Sequence, residues 1–302
     1  MSGGRSFQKA IAEARRQQDA VTEDHWPAAR PVLLEHGRRT PVAVVWLHGY
    51  TNCPRQFEAL GRRCHERGWN VWIPLAPHHG LANRMTDATS LLSVTELEEW
   101  GNQAVDVCSG LGERVVVGGL SMGGTVAAML GLRRADVGLA LPMAPLLSPL
   151  PGPAALSRAA GAALRRLPNL MIWWDGKARE ALPGPKHVYY CYSTRGIAEI
   201  LALGFAFVSE ARRTGPAAAS FRFVLNDGDE SMRNTFADAV LRRWKRRRVA
   251  SADSVRLGVD LGLRHDFIDP EQPYARTAVV YPIILEAIEQ ALARLPVTRG
   301  RA

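Results

Sequence analysis

Apolar residues gather along this chain in short unbroken runs, separated by stretches where they recur every three or four positions. Val42-Ala43-Val44-Val45-Trp46-Leu47 is the first strong run. Without polar alternation it reads as a strand covered on both faces. From Gln56 to Arg67 the spacing changes, and Phe57, Leu60 and Cys64 fall on one helical face before Gly68 supplies a stop. Val71-Trp72-Ile73 is a short strand closed by Pro74, and Val94 to Ser109 is a helix with Leu97, Trp100, Ala104 and Val107 turned inward. Arg114 to Gly118 and Val137 to Met143 are strands flanking a helix that starts just after Ser121. The alternation resumes later with a strand at Phe221 to Leu225, a helix from Ser231, a strand at Ser254 to Val259 and a last helix from Tyr274 to Leu295. Strand and helix in turn predict an α/β fold built on a mostly parallel, doubly wound sheet.

Between Ser148 and Pro216 the pattern loosens. The segment is rich in Pro, Gly and Ala and holds the aromatic clusters Trp173-Trp174, Tyr189-Tyr190 and Tyr192. Helices are expected at Ala154 to Leu167 and Arg195 to Ala211, with few strand signals. That is too long for a simple connection, so residues 148–216 read as a helical lid inserted into a core formed by 41–147 and 217–302. Residues 1–40 are polar and read as an N-terminal arm, a surface helix or a loose tail, with no role assigned. No internal repeat is present.

Composition narrows the possibilities further. A chain of 302 residues, 47% hydrophobic and 22% charged, builds one large soluble core or two modest ones. No run of about 18 apolar residues suggests a membrane span, and the first residues lack the apolar centre of a signal peptide. Cys53, Cys64, Cys108 and Cys191 show no metal-binding or disulfide spacing and suit a reducing cytoplasm. Cys53 reads as a small buried filler rather than a reactive thiol. The net charge of +9 is carried mainly by arginine, with only four lysines. Its densest run, Arg242-Arg243-Trp244-Lys245-Arg246-Arg247-Arg248, reads as a solvated helix end favoured by the helix dipole. Peripheral contact with an anionic membrane is the functional alternative. No nucleic-acid partner is expected, since no such fold signature accompanies the run.

The chemistry centres on Gly119-Leu120-Ser121-Met122-Gly123, a G-x-S-x-G string between a strand and a helix. In a nucleophile elbow the serine sits at a sharp turn apex, flanked by glycines because a side chain there would crowd strand against helix. The hydroxyl needs a base beside it. Of eight histidines only His187 and His265 follow the serine, and His187 lies in the lid. His265, in a loop after the last strand, is the expected base. The acid belongs in Asp227-Gly228-Asp229-Glu230-Ser231, with Asp229 the first choice and Asp227 the runner-up. The N–H groups of Tyr50, in the loop Leu47-His48-Gly49-Tyr50-Thr51-Asn52, and of Met122 are the expected oxyanion donors. His48 reads as a hydrogen-bonder beneath that loop.

Taken in order, His48-Gly49-Tyr50-Thr51, Pro77-His78-His79-Gly80, Trp100, Gly119 to Gly124, Asp229-Glu230 and His265 resemble the carboxylesterase and monoacylglycerol-lipase branch of the α/β-hydrolases. The resemblance runs from about Val42 to the C-terminus, and the long aromatic segment 148–216 departs from it. It implies an α/β-hydrolase fold and cofactor-free, metal-free hydrolysis of carboxylic esters. Ser121 would be nucleophile, His265 base and acid, Asp229 the orienting acid, and Tyr50 and Met122 the oxyanion donors. The substrate would be a small aliphatic or lipid-like ester. An acyltransferase or thioesterase would use the same three residues, and a non-catalytic binding protein on this fold is the remaining alternative.

Overall fold

The computed structural model describes residues 6–147, 159, 161–174 and 184–296. In chain order the strands are β1 (Val32–Leu34), β2 (Thr40–Leu47), β3 (Asn70–Ile73), β4 (Gly112–Leu120), β5 (Val137–Met143), β6 (Met171–Trp173), β7 (Cys191–Ser193), β8 (Ser220–Asn226) and β9 (Ala252–Leu257). The main helices are α1 (Phe7–Asp19), α2 (Arg55–His65), α3 (Val94–Leu111), α4 (Met122–Arg133), α5 (Thr194–Ala211), α6 (Thr235–Arg246) and α7 (Thr277–Ala293). Seven strands form one sheet in the order β1-β3-β2-β4-β5-β8-β9. All its pairings are parallel except that of edge strand β1 with β3. This is the expected α/β-hydrolase architecture.

The unbroken apolar runs are explained by cover on both faces. Ala43, Val45 and Leu47 of β2 join a core under α1, α3, α4, α5 and α6. Val42, Val44 and Trp46 point the other way, into a core under α2 and α7. Trp46 stacks on Phe57 of α2 at 5.2 Å between ring centroids. α3 starts sharply because Ser93 and Glu96 form a reciprocal capping box.

Register brings the loops of interest together. Leu47 at the end of β2 lies beside Gly119 near the end of β4, so the loop after β2 meets the turn before α4. Asn226 pairs with Leu257 at the ends of β8 and β9, so the loops after these strands emerge side by side.

Four expectations need correction. Residues before 41 do more than form an arm: α1 packs on α3 through Ala10, Ile11 and Ala14, and β1 extends the sheet. Two of those three α1 contacts are alanines, which leave little hydrophobic signal among arginines and glutamines. α5, expected within the lid, buries Phe207 against Phe221 and Trp244 in the core. The described lid also contains an antiparallel pair, β6 with β7, where only helices were expected. Finally, α6 starts at Thr235 instead of Ser231, because the Ser231 and Met232 N–H groups donate to Asp229 Oδ1 and divert the chain into a turn. The helix expected at Ala154 to Leu167 falls largely outside the described residues.

Candidate active site

Ser121 sits between β4 and α4 with φ 56° and ψ −111°, a left-handed region costly for any residue but glycine. The fold enforces this turn from both sides. Ser121 N–H donates to the Met143 carbonyl at 3.0 Å, and Thr125 N–H donates to the Ser121 carbonyl at 2.8 Å. A Cβ on Gly123 would lie 2.0 Å from the Leu47 oxygen, and one on Gly119 would lie 2.5 Å from the Gly123 backbone. Side chains at these two places are therefore excluded. Ser121 occupies the N-cap of α4, yet its hydroxyl caps nothing there. It lines a cavity of about 520 Å³ instead.

His265 lines the same cavity. Its Nδ1 lies 2.7 Å from Asp229 Oδ2, and the Asp229 side chain is only 1% exposed. A carboxylate only accepts, so Nδ1 carries a proton, and in the neutral ring Nε2 is the nitrogen with the lone pair. Asp229 Oδ1 meanwhile accepts from Ser231 N–H at 2.8 Å and Met232 N–H at 2.9 Å, which fixes the plane of the carboxylate. Asp227 is turned elsewhere. It pairs with Arg256 of β9 at 2.6 Å, and hydrogen bonds from that guanidinium hold its carboxyl below the usual range. His187, set aside as a base, is buried with Nε2 2.8 Å from Asp269 Oδ2 and lies outside the cavity lining.

The two expected oxyanion donors flank this arrangement. Tyr50 lines the cavity, and Met122 opens α4 with its side chain fully buried. Neither backbone N–H has an acceptor among the described residues. The loop carrying Tyr50 rests on His48, which is fully buried. Ala76 N–H donates to His48 Nε2 at 3.0 Å, so Nδ1–H donates to the Gly49 carbonyl at 2.9 Å. Burial holds His48 well below the ordinary histidine range, so it stays a neutral strut.

Several residues of the site escaped the sequence reading. Gln56 accepts from Gly49 N–H at 2.8 Å and braces the loop. Its signal was a polar residue on the apolar face of α2, one position before Phe57. Gln272 and Asn52 both donate to Asp266, next to His265. Burial and the neighbouring Asp269 push the Asp266 carboxyl up. Arg84 ties the lid by donating to the carbonyls of Val188 at 2.7 Å and Pro185 at 3.0 Å. Of the aromatic clusters, Trp173, Trp174, Tyr189 and Tyr190 line the cavity with Tyr274, Leu120, Leu146, Ile197 and Met232, while Tyr192 is outside the lining and packs on Trp174.

Cys53 is fully buried, and burial pushes its thiol up to about 12, leaving it unreactive at neutral pH. Among the described residues no cluster of His, Cys, Asp or Glu is arranged to hold a metal ion. No helix among them is long and apolar enough to cross a membrane.

Comparison with known proteins agrees with this architecture. The family model for the "Alpha/beta hydrolase family" matches residues 44–280. A thermostable monoacylglycerol lipase from Bacillus sp. (strain H-257) is 29% identical over 110 residues, 36% of this chain. The matched stretch spans 41% of that relative's length. The crystal structure of a Paleococcus ferrophilus monoacylglycerol lipase superposes with a TM-score of 0.64 at 16% identity, over 86% of this chain and 98% of that one. A soluble variant of monoglyceride lipase from Saccharomyces cerevisiae, in complex with a substrate analog, gives 0.61 at 14% identity, over 87% and 90%. At these identities the superpositions speak for the fold alone.

Proposed function

The chain belongs to the alpha/beta hydrolase family, and we propose that within it the protein is a serine hydrolase of aliphatic or lipid-like carboxylic esters. The observation that carries this reading is His265, its tautomer fixed by the buried Asp229, lining the same cavity as a strained Ser121 whose hydroxyl caps nothing. Ser121 Oγ attacks the ester carbonyl as His265 Nε2 takes its proton. The tetrahedral oxyanion is held by the N–H groups of Tyr50 and Met122, donors with nothing else to bind among the described residues. The C–O bond to the alcohol then breaks, and His265 returns the proton to the leaving oxygen. Water, deprotonated by His265, attacks the acyl-enzyme, and the acid leaves as Ser121 recovers its proton. No cofactor enters these steps.

The acyl preference is supported by the aliphatic and aromatic lining of the cavity. The partial likeness to a monoacylglycerol lipase points the same way. A cytoplasmic setting is part of the proposal, supported by four buried cysteine thiols.

A fluorophosphonate probe tests the nucleophile. Covalent labelling of Ser121, lost in a folded Ser121→Ala variant together with turnover of p-nitrophenyl esters, is the expected result. A wild type that takes no label, or a variant that keeps turnover, refutes the mechanism. Graded p-nitrophenyl esters and monoacylglycerols then define chain length, and competing alcohols or thioester substrates separate hydrolysis from acyl transfer and thioester cleavage.

A further inference from the structure

The loop that presents Tyr50 is held from the lid side as well as from the core. Thr51 has φ 65° and is buried, an unusual place for a β-branched residue in the left-handed region. Both of its oxygens are taken by the lid. Its carbonyl accepts from Tyr189 N–H at 2.9 Å, and its Oγ1 accepts from Trp174 Nε1–H at 2.8 Å. The Tyr50 hydroxyl donates to the carbonyl of Ser193, at the end of β7, at 3.2 Å. It fits there because α5 approaches at Gly196, where a Cβ would come within 2.1 Å of the Tyr50 hydroxyl. On the core side Gln56 takes Gly49 N–H, and the Asn52 N–H returns to the Gly49 carbonyl at 3.1 Å.

The Tyr50 N–H lies in the peptide between Gly49 and Tyr50, so its direction is set by anchors on both sides of it: Gln56 on the Gly49 N–H before it, and the lid's hold on Thr51 directly after Tyr50. A strained backbone persists only where its surroundings over-determine it. Here those surroundings are Trp174, directly after β6, and the segment through Tyr189 that leads into β7. The geometry points to Trp174, Tyr189 and Thr51 as positioning residues. The lid sets the aim of one oxyanion donor by clamping Thr51, and so takes part in transition-state stabilisation besides shaping the acyl pocket. This inference rests on the ester-hydrolase reading above.

The indole donor is the part of the clamp that a conservative change removes. Trp174 is 49% exposed, so Trp174→Phe keeps an aromatic wall without emptying a core. Thr51→Val keeps the branched shape and deletes the acceptor, and Thr51→Ser restores it. Activity is read with a soluble short-chain p-nitrophenyl ester. Binding is read with an alkylboronic acid, which forms a tetrahedral adduct, and with the product carboxylate, which stays trigonal.

Trp174→Phe and Thr51→Val are each expected to lower kcat and kcat/KM together by about tenfold, because the bond that a misaimed Tyr50 N–H weakens is one made only in the transition state. KM stays within about twofold, by the same argument. The double variant falls no further than either single one, because both delete the same contact. Thr51→Ser keeps the wild-type rate. Boronate affinity weakens by the same factor as kcat, and carboxylate affinity is unchanged.

Unaltered kcat in Trp174→Phe, losses that multiply in the double variant, or a change confined to KM overturns the inference. The last outcome would make Trp174 part of the substrate wall only. A wild type without label or turnover overturns the parent reading and this one with it. An active wild type with unaffected variants overturns this one alone.

Discussion

Replacing Asp229 by Asn probes the centre of the proposed mechanism, and the structure dictates how the amide must sit. Oδ1 of Asp229 accepts two backbone N–H bonds, from Ser231 and Met232, so the amide oxygen of an asparagine is held there. Its NH2 is then forced onto the position of Oδ2, 2.7 Å from His265 Nδ1. An amide nitrogen only donates, so Nδ1 must become the acceptor and the ring proton moves to Nε2. In that tautomer Nε2 has no lone pair for the Ser121 proton. Geometry survives while the base is lost, and such a change costs about 10⁴ in kcat. That corresponds to about 5.5 kcal/mol of barrier.

Asp227→Asn is the matched control, two positions away in the same loop. It breaks the pair with Arg256, whose side chains are 29% and 43% exposed. A pair that open contributes less than about 1 kcal/mol of stability, and turnover should stay within about twofold. The assay is initial-rate hydrolysis of p-nitrophenyl butyrate by purified variants matched for circular dichroism. An Asp229→Asn enzyme retaining more than about a tenth of wild-type kcat would refute the tautomer argument. So would an Asp227→Asn enzyme as damaged as its partner.

Two further outcomes follow from strain and burial. Ser121→Gly should be more stable than Ser121→Ala by about 1 kcal/mol, since glycine relieves the backbone at φ 56° while alanine keeps it strained. Urea unfolding of the two inactive proteins checks this, and equal midpoints would show an unstrained turn. Burial pulls His79 down to about 4, so the folded state stays neutral there while the unfolded chain takes up a proton below about pH 6.5. Proton uptake by the unfolded chain alone lowers stability as pH falls. By pH 5 the loss from this one group is about 2 kcal/mol. Unfolding at pH 7 and pH 5, in wild type and in His79→Gln, measures it. A wild type whose stability does not fall, or a variant that falls as steeply, contradicts the burial argument.

The core of the fold and the elbow were legible because each is written locally. A strand covered on both faces must be continuously apolar, as Val42 to Leu47 is. A turn that brings backbone within 2.0 Å of a would-be Cβ must carry glycine, as Gly123 does. What stayed hidden depends on contacts between distant segments. α1 packs mostly through alanines, and β1 has only half-buried residues. The clamp on Thr51 joins positions 123 residues apart in sequence, Thr51 and Trp174. No pattern of residue types announces that a threonine will be left-handed.

The choice between two aspartates shows where the boundary falls. Asp227 and Asp229 share a loop, a charge and a neighbouring glycine, and local propensity does not separate them. The neighbouring strand does. β9 runs parallel to β8 with Arg256 opposite Leu225, so its guanidinium reaches the first aspartate beyond the strand end and binds it through two nitrogens. The Asp227 carboxylate is thereby paired with a guanidinium and held at the surface. The backbone turn then gathers Asp229 inward on two N–H groups, with one oxygen left for an imidazole. Arg256 therefore has a share in the assignment without touching the cavity. If it were replaced by a neutral residue, Asp227 would gain freedom, but no pair of N–H donors waits to orient it. The preference for Asp229 thus lies in the turn's hydrogen bonds more than in the charge of either acid.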